Sequence, residues 1–183
     1  MRKIFTLAAG FCFLFACNSK PADSTATTDT TAAAEKKAPP QSEFADPKYT
    51  DMGKKDLAAL ASGNIDSWMS SYADNAVYIW SAGDSLSGKA AIAKYWKDRR
   101  ANVIDSIAFL NDIWLPIKIN QPQKGPDLAG VWLLCWHQTM VKYKTGKKLG
   151  FWVHIDNHYN SDDKIDRTIE YIDKAPINKA LGK

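Results

Sequence analysis

Three side chains that can transfer protons near neutral pH lie in the last third of the chain. They are His137, His154 and Glu170, on segments whose alternating pattern predicts neighbouring β-strands. If Thr145-Gly146 is a two-residue turn and residues 161–163 form a three-residue turn, His154 faces both other residues across the sheet. A histidine beside a carboxylate can act as a general acid or base. The same row is also expected of polar side chains that only line a pocket, and a shift of one residue in either hairpin would break it.

No pattern in the sequence indicates a metal site or a cofactor site. The spacings of a metal site, a P-loop or a dinucleotide fingerprint do not occur, so we expect neither a metal nor a cofactor. Cys135, between Leu134 and Trp136, is expected to be a buried packing residue rather than a nucleophile. The net charge of +4 comes without a stripe of basic residues, and nucleic acid is therefore not an expected partner.

The first 17 residues indicate export. Arg2 and Lys3 precede an apolar run that is too short to cross a bilayer permanently, which is typical of a signal peptide over residues 1–16. The sequence Leu14-Phe15-Ala16-Cys17 resembles the lipobox of bacterial lipoproteins. That resemblance implies cleavage before Cys17, acylation of its thiol and anchoring to a membrane. In a Gram-negative source Asn18 favours the outer membrane. The alternative is an ordinary secretory signal in which Cys17 is incidental.

Composition divides the rest of the chain in two. Residues 17–45 are rich in Ala, Thr, Ser, Pro and Lys and predict a disordered tether. Residues 46–183 hold all seven tryptophans and have the length of one domain.

Within this domain helices come first and antiparallel strands follow, which predicts an α+β fold. The predicted helices are 47–61, a short one carrying Ile65, Trp68, Met69 and Tyr72, and 88–102; the predicted strands are 76–80, 106–119, 128–142, 149–160 and 164–173; a helical turn ends the chain at 176–181.

This order and three short stretches resemble the SnoaL-like branch of the NTF2-like superfamily. The stretches are 63–78, the start of the third helix at 88–92, and the final strand at 164–173. The resemblance implies a cone, in which a curved, antiparallel or mixed sheet wraps around three N-terminal helices and encloses a pocket. Members of the superfamily include isomerases, epoxide hydrolases, cyclases and inert binding domains, so the fold alone does not select a function.

The resemblance also orients the final strand. Glu170 matches the pocket carboxylate of the epoxide hydrolases, which places Thr168 on the same face. Tyr78 matches one of their water-binding residues, but Trp80 replaces the other, and their Arg-x-Asp pair has no counterpart. We therefore do not expect epoxide hydrolysis. The expected pocket is lined by Tyr78, Trp80, Trp96 and Thr168.

With Glu170 inside, an apolar set of side chains is predicted on the back of the sheet, where it would form a homodimer interface. The set is Trp132, Leu134, Trp136, Met140, Phe151, Val153, Ile155 and Tyr159. The alternative is that the two faces are inverted and these side chains fill the core.

Three functions fit the sequence. The favoured one is a lipid-anchored envelope protein that binds a small, mostly apolar ligand. The second is an enzyme that uses Glu170 or His154 for acid–base chemistry, and the third is a scaffold domain of the cell envelope.

Overall fold

The structure is a computed structural model that describes residues 38–125 and 127–183. The predicted signal peptide and Cys17 lie outside the described residues. The elements are β1 Ser42–Phe44, α1 Lys48–Ser62, α2 Ile65–Met69, β2 Tyr72–Trp80, β3 Ser85–Ser87, α3 Lys89–Asn102, β4 Ile104–Ile119, β5 Gly130–Tyr143, β6 Lys148–Tyr159, β7 Ile165–Tyr171 and α4 Ala175–Leu181. In the part of the chain that the structure describes, no helix has the length and apolarity needed to cross a membrane.

Local chemistry ends α1 and starts α2 within three residues. Gly63 adopts a left-handed conformation, with φ of 80°, and its N–H satisfies carbonyls of the last turn of α1. The side chain of Asn64 then accepts a hydrogen bond from the backbone N–H of Ser67, which caps α2. Because α2 ends at Met69, Tyr72 belongs to β2 and not to the second helix as predicted.

The described strands form one seven-stranded sheet in the order β1-β4-β5-β6-β7-β2-β3. Only the β2–β7 pair is parallel among them, which makes the sheet mixed. Its inner face packs against α1, α2 and α3, and the core contains side chains from both layers, such as Leu60, Trp68 and Leu133. This is the predicted α+β cone. The helical turn predicted at the end of the chain is present as α4, and the short strands β1 and β3 are additions.

Ordered structure begins before the predicted domain boundary at residue 46. Strand β1 lies inside the segment predicted to be a tether and pairs with β4, Phe44 being opposite Ile117. The strand covers the edge of β4, which would otherwise expose unpaired backbone groups.

The hairpin between β5 and β6 does not have the predicted two-residue turn. The N–H of Tyr143 donates to the carbonyl of Lys147 over 2.9 Å, which leaves a three-residue loop closed by Gly146 at a φ of 86°. The register is therefore one residue away from the predicted one. His137 lies opposite Val153, and His154 lies opposite Trp136.

The hairpin between β6 and β7 has the predicted three-residue turn, because the N–H of Asn160 donates to the carbonyl of Lys164. A bulge at Asp166 then adds one residue to β7, so that Tyr159 pairs with Ile165 but His158 pairs with Arg167. Glu170 consequently lies opposite Ile155 rather than His154.

Candidate functional site

A cavity lies between the inner face of the sheet and the helices, and the space in it open to water-sized molecules is about 90 Å³. Most of its wall is aliphatic or aromatic. The apolar lining includes Leu57, Leu60, Trp68, Tyr72, Tyr78, Trp96, Ile107, Phe109, Val141, Phe151, Val153 and Ile155. A few polar side chains interrupt this wall, which is the usual composition of a small-molecule site.

Glu170 lies on β7, where the bulge at Asp166 turns it to the inner face. Its Oε2 accepts a hydrogen bond of 2.8 Å from the hydroxyl of Tyr78. Burial raises the pKa of the Glu170 carboxyl, although hydrogen bonds from Tyr78 and Trp80 act in the opposite direction. The result is a buried carboxyl group that takes up a proton more readily than an exposed one.

A chain of hydrogen bonds runs beside Glu170 along the inner face. The Thr168 hydroxyl donates to Oδ1 of Asn157 over 2.7 Å, and Tyr72 Oη lies 3.1 Å from the same hydroxyl oxygen. Because the single Thr168 proton points to Asn157, Tyr72 is the donor in its contact with Thr168. The chain fixes the orientation of three polar side chains in the cavity wall.

His137 lies deep in the cavity, with 1% of its surface exposed. Its Nδ1 is 3.2 Å from the hydroxyl of Thr139, and the ring of Phe109 meets it edge-on. Nε2 has no hydrogen-bond partner among the described residues. Burial lowers the pKa of His137 to about 4, so the imidazole is neutral at pH 7.

Asp56 is a polar residue of the cavity wall that sequence reasoning missed. It lies on α1, is 7% exposed and accepts a hydrogen bond of 2.6 Å from the Ser71 hydroxyl. Burial raises the pKa of Asp56 to about 6. A sequence signal existed, since Asp56 is one turn from Leu60 on the apolar side of the predicted helix.

The predicted row of His137, His154 and Glu170 does not form. His154 lies on the outer face, where its ring stacks between those of Trp136 and Tyr171. Its Nδ1 is 3.2 Å from the carbonyl oxygen of Cys135, and its Nε2 lies 2.8 Å from Oδ1 of Asp156. The sheet therefore separates His154 from the cavity.

Of the four predicted pocket residues, Tyr78, Trp96 and Thr168 line the cavity. Trp80 does not line it. Its ring packs against Tyr78 at a centroid distance of 4.9 Å. It lies beside Glu170 in the β2–β7 register and donates a side-chain hydrogen bond to that carboxyl group.

Of the eight side chains predicted on the back of the sheet, the four on β5 lie there and the four on β6 do not. Trp132, Leu134, Trp136 and Met140 share the outer face of β5, because they alternate with the cavity residues Cys135 and His137. The four partners proposed on β6 lie on the inner face, since the one-residue shift in the hairpin exchanges the two faces of that strand. These four are Phe151, Val153, Ile155 and Tyr159.

Nothing in the described residues resembles a metal centre, since no group of three or more ligating side chains occurs there. Cys135 is buried in the cavity wall, and burial raises the pKa of its thiol to about 12. A thiol that stays protonated is a poor nucleophile at pH 7.

No protein-family model and no curated protein sequence matches this chain, but many solved structures share its fold. An NTF2-like protein of unknown function from Burkholderia pseudomallei is 8% identical and has a TM-score of 0.58, with 73% of this chain and 97% of that chain covered. A protein described as a SnoaL-like polyketide cyclase, from Shewanella denitrificans, is 11% identical and has a TM-score of 0.56 over 75% and 98% of the two chains.

A third structure has a ketosteroid isomerase-like fold, comes from Catenulispora acidiphila and was solved with trimethylamine. It is 11% identical, with a TM-score of 0.53 over 72% of this chain and 92% of that chain. At these identities the likeness establishes the fold and not the activity. The chain therefore has the NTF2-like, SnoaL-like fold.

Proposed function

We propose that this chain is an envelope lipoprotein whose SnoaL-like domain binds a small, mostly apolar molecule in the inner cavity. The observation that carries the proposal is the composition of the cavity wall, which is mainly aliphatic and aromatic with a few inward polar groups. The volume of about 90 Å³ favours a ligand no larger than a small ring or a short branched chain.

A cavity-filling substitution tests this proposal. A set of monocyclic alcohols, ketones and hydrocarbons is screened against the full-length protein by ligand-observed NMR. Ile155→Phe, which adds volume inside the cavity, should abolish binding, whereas Ile113→Phe on the outer face should leave it unchanged. Equal binding to both variants would place the ligand elsewhere and refute the proposal.

A second candidate function is acid–base catalysis by Glu170, as in an isomerase, a dehydratase or a hydrolase. The supporting observation is the buried carboxyl group, with its raised pKa and the Tyr78 hydroxyl at 2.8 Å. His154 no longer belongs to this hypothesis. If a substrate screen finds activity, Glu170→Gln should remove most of it. Full activity in that variant would eliminate this function.

The proposed localisation in the cell envelope rests on the resemblance of residues 14–17 to a lipobox. Metabolic labelling with an alkyne analogue of palmitate should modify the wild-type protein and the Cys12→Ser variant but not Cys17→Ser. The labelled protein should fractionate with the outer membrane. Label that persists in Cys17→Ser, or that is absent from the wild type, would contradict the lipoprotein assignment.

A second copy of the chain is the partner that we propose for the outer face. Large exposed apolar side chains among the described residues all lie on that face, a distribution that a monomer rarely shows. They are Phe44, Leu110, Ile113, Met140, Trp152 and Tyr171. In a dimer with two-fold symmetry, the apolar outer face of each copy would cover that of the other. Sedimentation should give a dimer that Trp152→Lys converts to a monomer. A monomeric wild-type protein would instead favour the scaffold function.

A further inference from the structure

Only one oxygen of the Asp56 carboxylate has a role in the fold. Oδ1 accepts the hydrogen bond from Ser71, which ties α1 to the segment between α2 and β2. Oδ2 has no hydrogen-bond partner among the described residues, although the side chain is more than nine-tenths buried. Asp56 also lines the cavity. Oδ2 of Asp56 is therefore a charged hydrogen-bond acceptor without a donor, in the wall of a mainly apolar cavity.

Packing alone does not account for this second oxygen. A buried carboxylate oxygen without a partner costs stability, and an amide or an apolar residue on α1 would avoid much of that cost. Lys55 and Lys164 are close enough to lower the pKa of Asp56, but burial outweighs them, and neither forms an ion pair with it. The cost is understandable if the oxygen meets a ligand.

The surroundings of Asp56 favour a cationic group. The rings of Trp68, Tyr72, Tyr78 and Trp96 line the same cavity. Trp68 packs edge-on against Tyr72 and Trp96, with ring centroids 5.2 and 5.4 Å apart. Aromatic rings attract a cation over their faces, and a buried carboxylate attracts it more strongly.

Besides Asp56, the cavity wall holds the guanidinium group of Arg99 and the carboxyl group of Glu170. Arg99 lowers the pKa of Glu170 and of Tyr143 but does not figure among the groups that act on Asp56. The charge of Arg99 therefore acts on Glu170 and Tyr143 rather than on Asp56. An anionic ligand would instead bind at Arg99.

We propose that Oδ2 of Asp56 anchors the protonated amine of a small alkylammonium ligand, whose apolar part packs against the aromatic wall of the cavity. This inference rests on the proposed function, because it names the chemical class of the molecule that the cavity binds. The N–H of the ammonium group donates to Oδ2, and the charge of the ligand balances that of the carboxylate.

Three probes that share a tert-butyl group test the proposal: tert-butylammonium, tert-butanol and pivalate. Their affinities for the full-length protein are measured by NMR titration. The ammonium probe should bind about tenfold or more tightly than the alcohol, because a hydrogen bond to a charged group contributes more than a neutral one. Asp56→Asn should weaken binding of the ammonium probe about tenfold or more and so remove its preference over the alcohol. Asp51→Asn, at an exposed carboxylate of the same helix, is the matched control.

A second measurement needs no variant. Nuclear Overhauser contacts from the tert-butyl methyl groups should reach the ring of Tyr72, which is near enough to Asp56 for that carboxylate to raise its pKa. They should also reach the ring of Trp68, which packs edge-on against Tyr72. Contacts to the ring of Tyr143, or a preference for pivalate, would place the ligand at Arg99 and overturn the proposal.

The two proposals fail in different ways. If tert-butanol binds and Ile155→Phe abolishes that binding, but the ammonium probe shows no preference for the wild type over Asp56→Asn, then only the anchor is wrong. If none of the three probes binds and the broader screen also finds no ligand that Ile155→Phe excludes, the binding function itself fails.

Discussion

The hydroxyl of Tyr78 donates a hydrogen bond of 2.8 Å to Oε2 of Glu170, although the two residues are 92 positions apart. They meet because β2 and β7 pair in parallel, with Tyr78 beside Thr168 and Trp80 beside Glu170. A charged acceptor inside the protein gains more from such a bond than it would in water.

Tyr78→Phe should raise the pKa of Glu170 further, because a hydrogen bond to the charged form is lost. The loss of this buried bond should also lower the free energy of unfolding at pH 7 by about 1–3 kcal/mol. Carboxyl ¹³C NMR and urea unfolding measure the two effects. Tyr95→Phe is the control, since the Tyr95 hydroxyl bonds to no carboxylate among the residues that the structure describes. An unchanged pKa in Tyr78→Phe would mean that the hydroxyl does not bind Glu170 in solution.

The neutral, buried imidazole of His137 predicts a loss of stability in acid. The pKa of His137 falls from 6.5 to about 4 in the folded protein, so the unfolded chain binds the proton more readily. The neutral imidazole therefore contributes about 3 kcal/mol to the free energy of unfolding above pH 6.5, and this stability is lost as the pH falls to 4.

His137→Gln should therefore flatten the pH dependence of the free energy of unfolding between pH 6.5 and 4. Urea unfolding at a series of pH values measures it, with Lys148→Gln as an exposed control. A variant as acid-sensitive as the wild type would show that His137 does not remain neutral.

Asp56 predicts the opposite dependence. Its pKa rises from 3.8 to about 6 on folding, so the folded protein favours the protonated form. The stability that this provides is complete below pH 3.8 and is lost as the pH rises through 6, again on the order of 3 kcal/mol.

Asp56→Asn should therefore gain stability relative to the wild type between pH 4 and pH 7. Thermal or urea unfolding at both values checks the difference, and Asp51→Asn should show none. A relative loss at pH 7 would indicate that the carboxylate has a stabilising partner.

Gly53 marks a close approach of α1 to the sheet. A Cβ atom at this position would lie 2.5 Å from the ring of Trp114 and 2.6 Å from Leu133. Alanine favours a helix by up to about 1 kcal/mol over glycine, but overpacking costs about 1–3 kcal/mol.

Gly53→Ala should therefore have a net destabilising effect, measured as a lower midpoint in urea. Lys54→Ala, at an exposed neighbour on the same helix, should be close to neutral. A more stable Gly53→Ala variant would mean that α1 can move away from the sheet without loss.

The class of fold and the order of its elements could be predicted because they depend on local patterns. Helical spacing in α1 and α3, alternation in β5 and β6, and turn residues between them each act over a few positions. The inward position of Glu170, inferred from a family resemblance, is also present in the structure.

The composition of the site required more than local information. Gly146 fits the turn of a two-residue hairpin as well as the last position of a three-residue loop, and the two choices differ by one residue in register. That residue moves His154 to the outer face and brings Val153 and Ile155 to the inner one.

Periodicity and composition act within single segments, and they were enough to predict the helix-then-strand order, the α+β fold and the supply of aromatic side chains. Which polar groups share the cavity depends instead on how distant segments pair and pack. Successive side chains of a strand point to opposite faces of the sheet. The bulge at Asp166 and the extra loop residue therefore decide which side chains of β7 and β6 face the cavity. The burial of Asp56 is likewise decided by the packing of α1 against the sheet, a contact between segments far apart in the chain.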